Sequence, residues 1–250
     1  MNHPDFISGL VAAASACYRP AGRYAWHFAL GKLSGDPVFV GLLERGLIPE
    51  GTRLLDLGCG QGLLAAWLFA AQDHYNAGRW PPAWPPAPRL FAYRGIELMP
   101  PDAHRARSAL GGNAEIVTGD IRTADLGKPW TVVILDVLQY ITHADQEDLL
   151  ARIHAVLPED GTLLLRVGDA AGGLGFAVAL WVDRCVALAR GHGWTRFYCR
   201  ALRDWEDLLR ELGFSVESLP MHRGTPFPNT LLICRKLRPD AVPIESASGR

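Results

Sequence analysis

Asp56, Gly58, Cys59, Gly60 and Gly62 fall in one short run, Leu54-Leu55-Asp56-Leu57-Gly58-Cys59-Gly60-Gln61-Gly62. Three glycines at alternate positions let a backbone turn sharply and approach a ligand closely. A helix beginning at Gly62 aims its first amides at the same place. The third glycine comes one residue earlier than in the G-x-G-x-x-G of dinucleotide folds. An acid at Asp56 also suits a ligand carrying positive charge better than it suits a pyrophosphate. Further acids follow at Glu97 in Gly95-Ile96-Glu97-Leu98, at Asp120 in Gly119-Asp120-Ile121, and at Asp136 in Asp136-Val137-Leu138-Gln139-Tyr140. A carboxylate at Glu97 can accept both hydroxyls of a ribose. One at Asp120 can take the exocyclic amine of adenine while Ile121 packs on the ring. Any one of these acids reads equally as a turn residue or cap. All of them in series behind one glycine loop read as a site.

Such residues need elements that bring them to one edge. Buried strands are expected over 52–58, 93–98, 114–120, 131–137, 162–167, 215–219 and 230–234, with Val132 to Leu135 as a continuous apolar run. Helical patterns lie between them over 62–71, 101–110, 144–157, 176–190 and 204–212, and 172–180 reads as a buried apolar start to one of these. This alternation predicts an α/β fold, a mostly parallel sheet with helices on both faces. Ligands in such sheets bind at the carboxyl ends of the strands, at the topological switch point. Each acid above closes one strand. The first 50 residues read as a helical cap, with an amphipathic helix carrying Phe6, Leu10, Ala13 and Cys17. Asp36-Pro37 starts a second cap helix that carries Phe39, Leu42 and Leu43 and stops near Gly46. Residues 80–88 read WPPAWPPAP, neither helix nor interior strand. They make 78–90 an insertion at the rim, read as a stiff loop without a role or as a lid or partner-binding loop that shapes access to the site. The main domain is taken as 51–238 and the tail 239–250 as frayed.

The chain has 250 residues, of which 49% are hydrophobic and 20% charged, with a formal net charge of −1. That is enough chain to bury a full core and too little positive charge for a protein that lives on phosphate contacts. There are five cysteines, Cys17, Cys59, Cys185, Cys199 and Cys234. The odd number and the lack of a C-x-x-C pair argue against a disulfide framework and against a cysteine-rich metal site. A reducing, cytoplasmic compartment and no metal are expected. No apolar run is long enough to span a bilayer. Ala14-Ser15-Ala16-Cys17 loosely resembles a lipoprotein cleavage box, but Asp5 and no Lys or Arg precede it, which favours the amphipathic helix.

The runs LLDLGCGQG, GIEL, GDI and ILDVLQYI, followed by PEDGTLLLRV, resemble the Rossmann-like S-adenosylmethionine-dependent methyltransferase family over residues 52–169 and more weakly to the last strand. The resemblance implies a three-layer α/β/α sandwich with seven strands, the last inserted antiparallel. It implies that Asp56 and Gly58 to Gly62, with Cys59, line the methionine part. It implies that Glu97 and Leu98 hold the ribose, Asp120 and Ile121 the adenine, and that Asp136, Val137 and Tyr140 border the sulfonium and the acceptor. S-adenosylmethionine is then the cofactor and S-adenosylhomocysteine the product. Enzymes acting on amino groups of DNA bases or glutamine usually carry an Asn/Asp-Pro-Pro-Tyr motif where this chain has Asp136-Val137-Leu138-Gln139, so a small-molecule acceptor is expected and DNA is not. His143, after the fourth strand, and His27, in the helical cap, are the candidate proton acceptors. Arg23 or Lys32 would pair the cofactor carboxylate. Arg190, His192, Arg196, Arg200 and Arg203, interleaved with Trp194, Phe197 and Tyr198, read as a solvated face, a docking face, or aromatic pocket wall. The pattern YRPAGRYAWHFALGKLSGDPVF, with LLRVGD and GTPFPNTLLICRK, is similar to bacterial methyltransferases of aryl-polyene pathways, which implies an aromatic acceptor, free or carrier-protein-bound. The expected activity is methyl transfer to oxygen or carbon. The rivals are a nicotinamide-dinucleotide oxidoreductase, a catalytically silent module of the same fold, and an RNA methyltransferase.

Overall fold

Strands whose residues are apolar on both faces must sit between two helical layers, and the sheet here does so. The computed structural model describes residues 3–168, 197–221 and 229–238. The chain opens with three helices, α1 (His3–Ala16), α2 (Arg23–Gly35) and α3 (Pro37–Glu44). Then come β1 (Arg53–Leu57), α4 (Leu63–Asn76), β2 (Ala92–Glu97), α5 (Pro100–Leu110), β3 (Glu115–Thr118), β4 (Thr131–Leu135), α6 (His143–Val156) and β5 (Thr162–Gly168). Among the described residues the chain finishes with α7 (Leu202–Glu211), β6 (Phe214–Pro220) and β7 (Asn229–Lys236). The expected helix over 176–190, the apolar run 172–180, the tail 239–250 and the first half of the basic aromatic stretch lie outside the described residues.

The sheet has seven strands in the order β3-β2-β1-β4-β5-β7-β6. β1 to β5 are mutually parallel, and β7 lies antiparallel between β5 and β6. The order reverses direction between β1 and β4, which puts the switch point beside the glycine loop. Side chains alternate cleanly. Val133 and Leu164 face a core shared with α1 to α5, whereas Val132, Ile134, Leu163 and Leu165 face α6 and α7. The result is a Rossmann-like three-layer α/β/α sandwich with a helical cap at its start. No described helix is long and apolar enough to cross a membrane.

Local sequence explains the cap. Asp36 accepts a hydrogen bond from the Val38 backbone at 3.1 Å and Pro37 occupies the first turn of α3. On α1 the buried stripe is Phe6, Leu10, Val11 and Ala14, so Ala13, expected inward, is on the outer face. The cap is pinned to the sheet layer by Trp67 of α4, which is fully buried and donates its indole N–H to the Phe39 carbonyl at 2.7 Å. Trp67→Phe is expected to destabilise the protein by about 2–4 kcal/mol, because it leaves a void and removes the buried hydrogen bond that ties α4 to α3. Chemical denaturation would check this, and a loss below about 1 kcal/mol would mean that the cap repacks freely.

The proline-rich insertion corrects one expectation. Gly51 donates to the Arg89 carbonyl at 2.8 Å, Phe91 donates to the Thr52 carbonyl at 2.9 Å, and Trp80 and Trp84 pack edge-on against Phe6 of α1. The segment therefore closes the amino-terminal end of the sheet. It does not border the strand exits, because α4 runs back along β1 and delivers the chain to the opposite end.

Candidate functional site

The exits of three strands are stitched in a row by backbone hydrogen bonds, and that of a fourth packs against them. Gly58 and Cys59 donate to the Ile96 carbonyl at 2.8 and 3.2 Å, and Gly119 donates to the Glu97 carbonyl at 2.9 Å. This joins the loop after β1 to the end of β2, and that end to the exit of β3. The exit of β4 closes on the other side through Val137, whose Cγ2 lies 2.4 Å from where a Cβ on Gly58 would be. Gly58 has φ +75°, so the position requires glycine twice over, for conformation and for space. Gly60 has φ +56° but nothing within 4 Å of its missing Cβ. Its bare backbone faces open room, as close approach by a ligand demands. Gly62 caps the start of α4.

Asp56 is buried and receives the Tyr93 hydroxyl at 2.5 Å. Burial, and then the nearby charge of Glu97, push its carboxyl up to about 7, against the opposing effect of the Tyr93 hydrogen bond. A carboxyl raised in this way ionises more readily when a cation lies beside it. Cys59 is buried behind the loop, where burial pushes its thiol up, so it packs as a small apolar group. Glu97 is buried and oriented by two backbone amides, Gly60 at 2.8 Å on one oxygen and Met99 at 2.8 Å on the other. Leu98, next to it, is 54% exposed, an apolar surface at the lip of the loop.

Asp120 is held by a neighbour that sequence reasoning passed over. Arg122 forks onto both of its oxygens, with Nη2 at 2.6 Å, and holds its carboxyl below the usual range. Ile121 is buried under α6 with Leu126 and Ile141. Asp136 stands just past β4 with φ +59°. Its carboxylate is bound by Arg166 of β5, which also grips Asp36 at 2.5 and 2.8 Å. Lys32 completes the group at 2.8 Å from Asp36 and 4.0 Å from Asp136. Burial disfavours charge on Asp36, yet the hydrogen bonds and charge of Arg166 outweigh it and hold the carboxyl well below the ordinary range.

Tyr140, partly exposed, lies with its ring 5.3 Å from Phe197, and His143, exposed at the start of α6, has its ring 5.7 Å from Tyr198. Phe197 and Tyr198 thus wall the exit of β4, one of the readings open for that stretch. Gln146 fastens them. It is fully buried, donates to the carbonyls of Leu138 at 2.9 Å and Tyr198 at 2.8 Å, and accepts from Arg200 at 2.9 Å. His27 is exposed on α2, its ring 4.7 Å from that of Trp26. Tyr24, also on α2, lies under the Arg105 guanidinium of α5 at 4.9 Å. From the core side, the buried Tyr18 hydroxyl donates to the Gln61 carbonyl at 2.9 Å and fixes the glycine loop to the cap. Tyr93, Arg122, Gln146 and Arg166 were all absent from the sequence-derived site. A buried cation inside the apolar run Leu163-Leu164-Leu165-Arg166-Val167, and Arg122 two residues after Asp120, were the legible signals among them.

Residues 31–219 match the family described as methyltransferase domain. Among curated proteins, the carboxy-S-adenosyl-L-methionine synthase of Chromohalobacter salexigens is 30% identical over 131 residues, which are 50% of this chain and 43% of that protein. The one from Haemophilus ducreyi is 27% identical over 131 residues, 50% of this chain and 48% of that protein. The match therefore spans less than half the length of these relatives. Among solved structures, the mitomycin 7-O-methyltransferase MmcR is 24% identical with a TM-score of 0.58, covering 87% of this chain and 58% of that one. Magnesium protoporphyrin IX methyltransferase from Synechocystis PCC 6803, with bound SAH, is 19% identical with a TM-score of 0.55, covering 86% of this chain and 88% of that one. At these identities the likeness is one of fold.

Proposed function

This chain belongs to the methyltransferase-domain family, and from that premise we propose that it moves the methyl group of S-adenosylmethionine to an oxygen or carbon of a small acceptor. The observation that carries the reading is the row of strand exits. An open backbone at Gly60 stands against a buried, amide-oriented Glu97, with the ionisable Asp56 behind the loop. These groups fit the parts of the cofactor: a close approach for the methionine backbone, an acceptor pair for ribose hydroxyls, and a carboxyl for positive charge. Leu98 offers the apolar contact that an adenine ring needs, and Asp120 offers an acceptor to its amine.

When bound, the cofactor supplies a methyl group on a cationic sulfur, so the protein has to align partners rather than assemble a nucleophile. Glu97 and the glycine loop orient the ligand. Asp136, Val137 and Tyr140 form the border with the acceptor, walled by Phe197 and Tyr198. An aromatic acceptor, free or carried on a protein, suits that wall. His143 is the proposed proton acceptor for a hydroxyl, with His27 of the cap as the second candidate. Residues 1–50 act as the cap and 51–238 as the transfer domain.

Calorimetric titration of the full chain with S-adenosylmethionine, S-adenosylhomocysteine and a nicotinamide dinucleotide tests this. Micromolar binding of the two sulfur ligands and none of the dinucleotide is expected. Binding of the dinucleotide alone would overturn the assignment. Mass analysis of the sulfur product after incubation with acceptor mixtures then separates methyl transfer from formation of a carboxylated cofactor, the activity named for the curated relatives. Tight binding without any product would assign a silent module of the same fold.

A further inference from the structure

Four charged residues from distant parts of the sequence meet at the exits of β4 and β5: Lys32 on α2, Asp36 capping α3, Asp136 past β4, and Arg166 within β5. Arg166 is 2% exposed, and its fork touches both carboxylates. Asp36 lies 130 residues away from it in sequence and Asp136 lies 30. Asp136 is held in a left-handed conformation, φ +59°, that side chains other than glycine adopt rarely. The next residue, Val137, is the one that abuts Gly58. Arg166 is therefore two residues removed from the glycine loop through rigid contacts. The formal charges of the four groups cancel, and Asp136 keeps 31% of its side chain exposed.

We infer that Arg166 is a positioning residue of the cofactor site: it fixes the turn after β4 against the glycine loop and sets the charge that this turn presents to a cationic ligand. The inference rests on the strand exits being an S-adenosylmethionine site. Two features of the side chain carry it. A guanidinium holds two carboxylates at fixed angles through its planar fork, which an ammonium cannot do. It also cancels one carboxylate at the edge of the site, where a free one would favour any cation nearby. Bracing the fold alone would not require an ion cluster here, since well-packed apolar side chains brace as well.

The two sulfur ligands separate geometry from charge, because S-adenosylmethionine is cationic at sulfur and S-adenosylhomocysteine is neutral there. Dissociation constants of both are measured by calorimetry for the full-length wild type, Arg166→Lys, Arg166→Met and Asp136→Asn. Arg166→Lys keeps the charge and loses the fork, so both ligands weaken by roughly tenfold and their ratio stays within about twofold. Arg166→Met leaves the cluster one charge negative and shifts the ratio toward S-adenosylmethionine by roughly three- to tenfold. Asp136→Asn leaves it one charge positive and shifts the ratio the other way by a similar factor. Unchanged affinities in Arg166→Lys would overturn the positioning role. Equal losses for both ligands in Arg166→Met and Asp136→Asn would reduce Arg166 to a brace of the fold. If Arg166→Met does not fold, Asp136→Asn, which removes a partly exposed carboxylate, decides the charge question alone. A wild type that binds neither ligand would instead sink the cofactor reading itself, and the role of Arg166 with it.

Discussion

Gly60→Val is expected to abolish S-adenosylmethionine binding while costing the fold only about 1–2 kcal/mol. The two effects come apart because of where the missing Cβ points. At Gly60 nothing lies within 4 Å of it, so the added Cβ meets no neighbour and the main cost is the φ of +56°. The branched side chain then fills the room that the ligand backbone needs. Gly58→Ala is expected to behave differently. Its Cβ would stand 2.4 Å from Val137 Cγ2, at φ +75°, so the turn after β4 must move or the loop must. A loss of about 2–4 kcal/mol follows, with binding lost as a consequence of the displaced loop. Thermal melts paired with calorimetric titration check both variants. Wild-type affinity in Gly60→Val would show that no ligand approaches this backbone.

The ligand-free protein is expected to lose stability as pH rises from about 4 to about 7, and Asp56→Asn is expected to remove that slope. The unfolded chain titrates Asp56 near the ordinary 3.8, while burial and Glu97 push it up to about 7 in the folded chain. Between those two pH values the folded state holds a proton that the unfolded state has released, so raising the pH favours unfolding. A rise of about three pH units is worth about 4 kcal/mol at most, fully felt above pH 7. Asparagine cannot ionise and still accepts the Tyr93 hydroxyl, so the variant is expected to be more stable than wild type at pH 8 and no more stable at pH 4. Binding runs the other way. A cationic ligand draws the proton off Asp56, so titration at pH 6 in buffers of different ionisation enthalpy shows about one proton released by wild type and none by Asp56→Asn. Parallel pH–stability curves for the two proteins would show that Asp56 is not the group titrating.

The strand exits were legible in the sequence because they are local. Leu54 to Gly62 contains its own strand, turn and helix start, and the acids at Glu97, Asp120 and Asp136 each close an apolar run. The parallel sheet was legible for the same reason: Val132 to Leu135 and Leu163 to Leu165 are apolar on both faces. What was not legible is pairing at a distance. Hydrophobic periodicity says that a residue is buried and says nothing about its partner. The partners of Arg166 lie on a cap helix start and on another strand exit, and those of Gln146 on two separate turns. Arg122 is different, since it is two residues from Asp120 and an Asp turn of that length puts its own neighbour in reach. The end of the sheet that carries the proline-rich insertion was also decidable without coordinates. In a strand–helix–strand unit the connection after the helix always reaches the amino end of the next strand, and 78–90 follows α4.

The last strand has a consequence for how the chain is made. β7 carries Leu231, Leu232 and Cys234, all buried, and pairs with β5 along its whole length, from Thr162 opposite Arg235 to Gly168 opposite Asn229. A ribosome delivers β5 long before β7. Throughout that interval the N–H and C=O groups on the edge of β5 turned away from β4, those of alternate residues, form a bare template flanked by apolar side chains for any other nascent chain. A stop codon placed between Gly168 and Asn229 makes that interval permanent. Such truncated chains should accumulate as aggregates rather than as smaller folded proteins, even though every residue of the strand-exit row has already been synthesised.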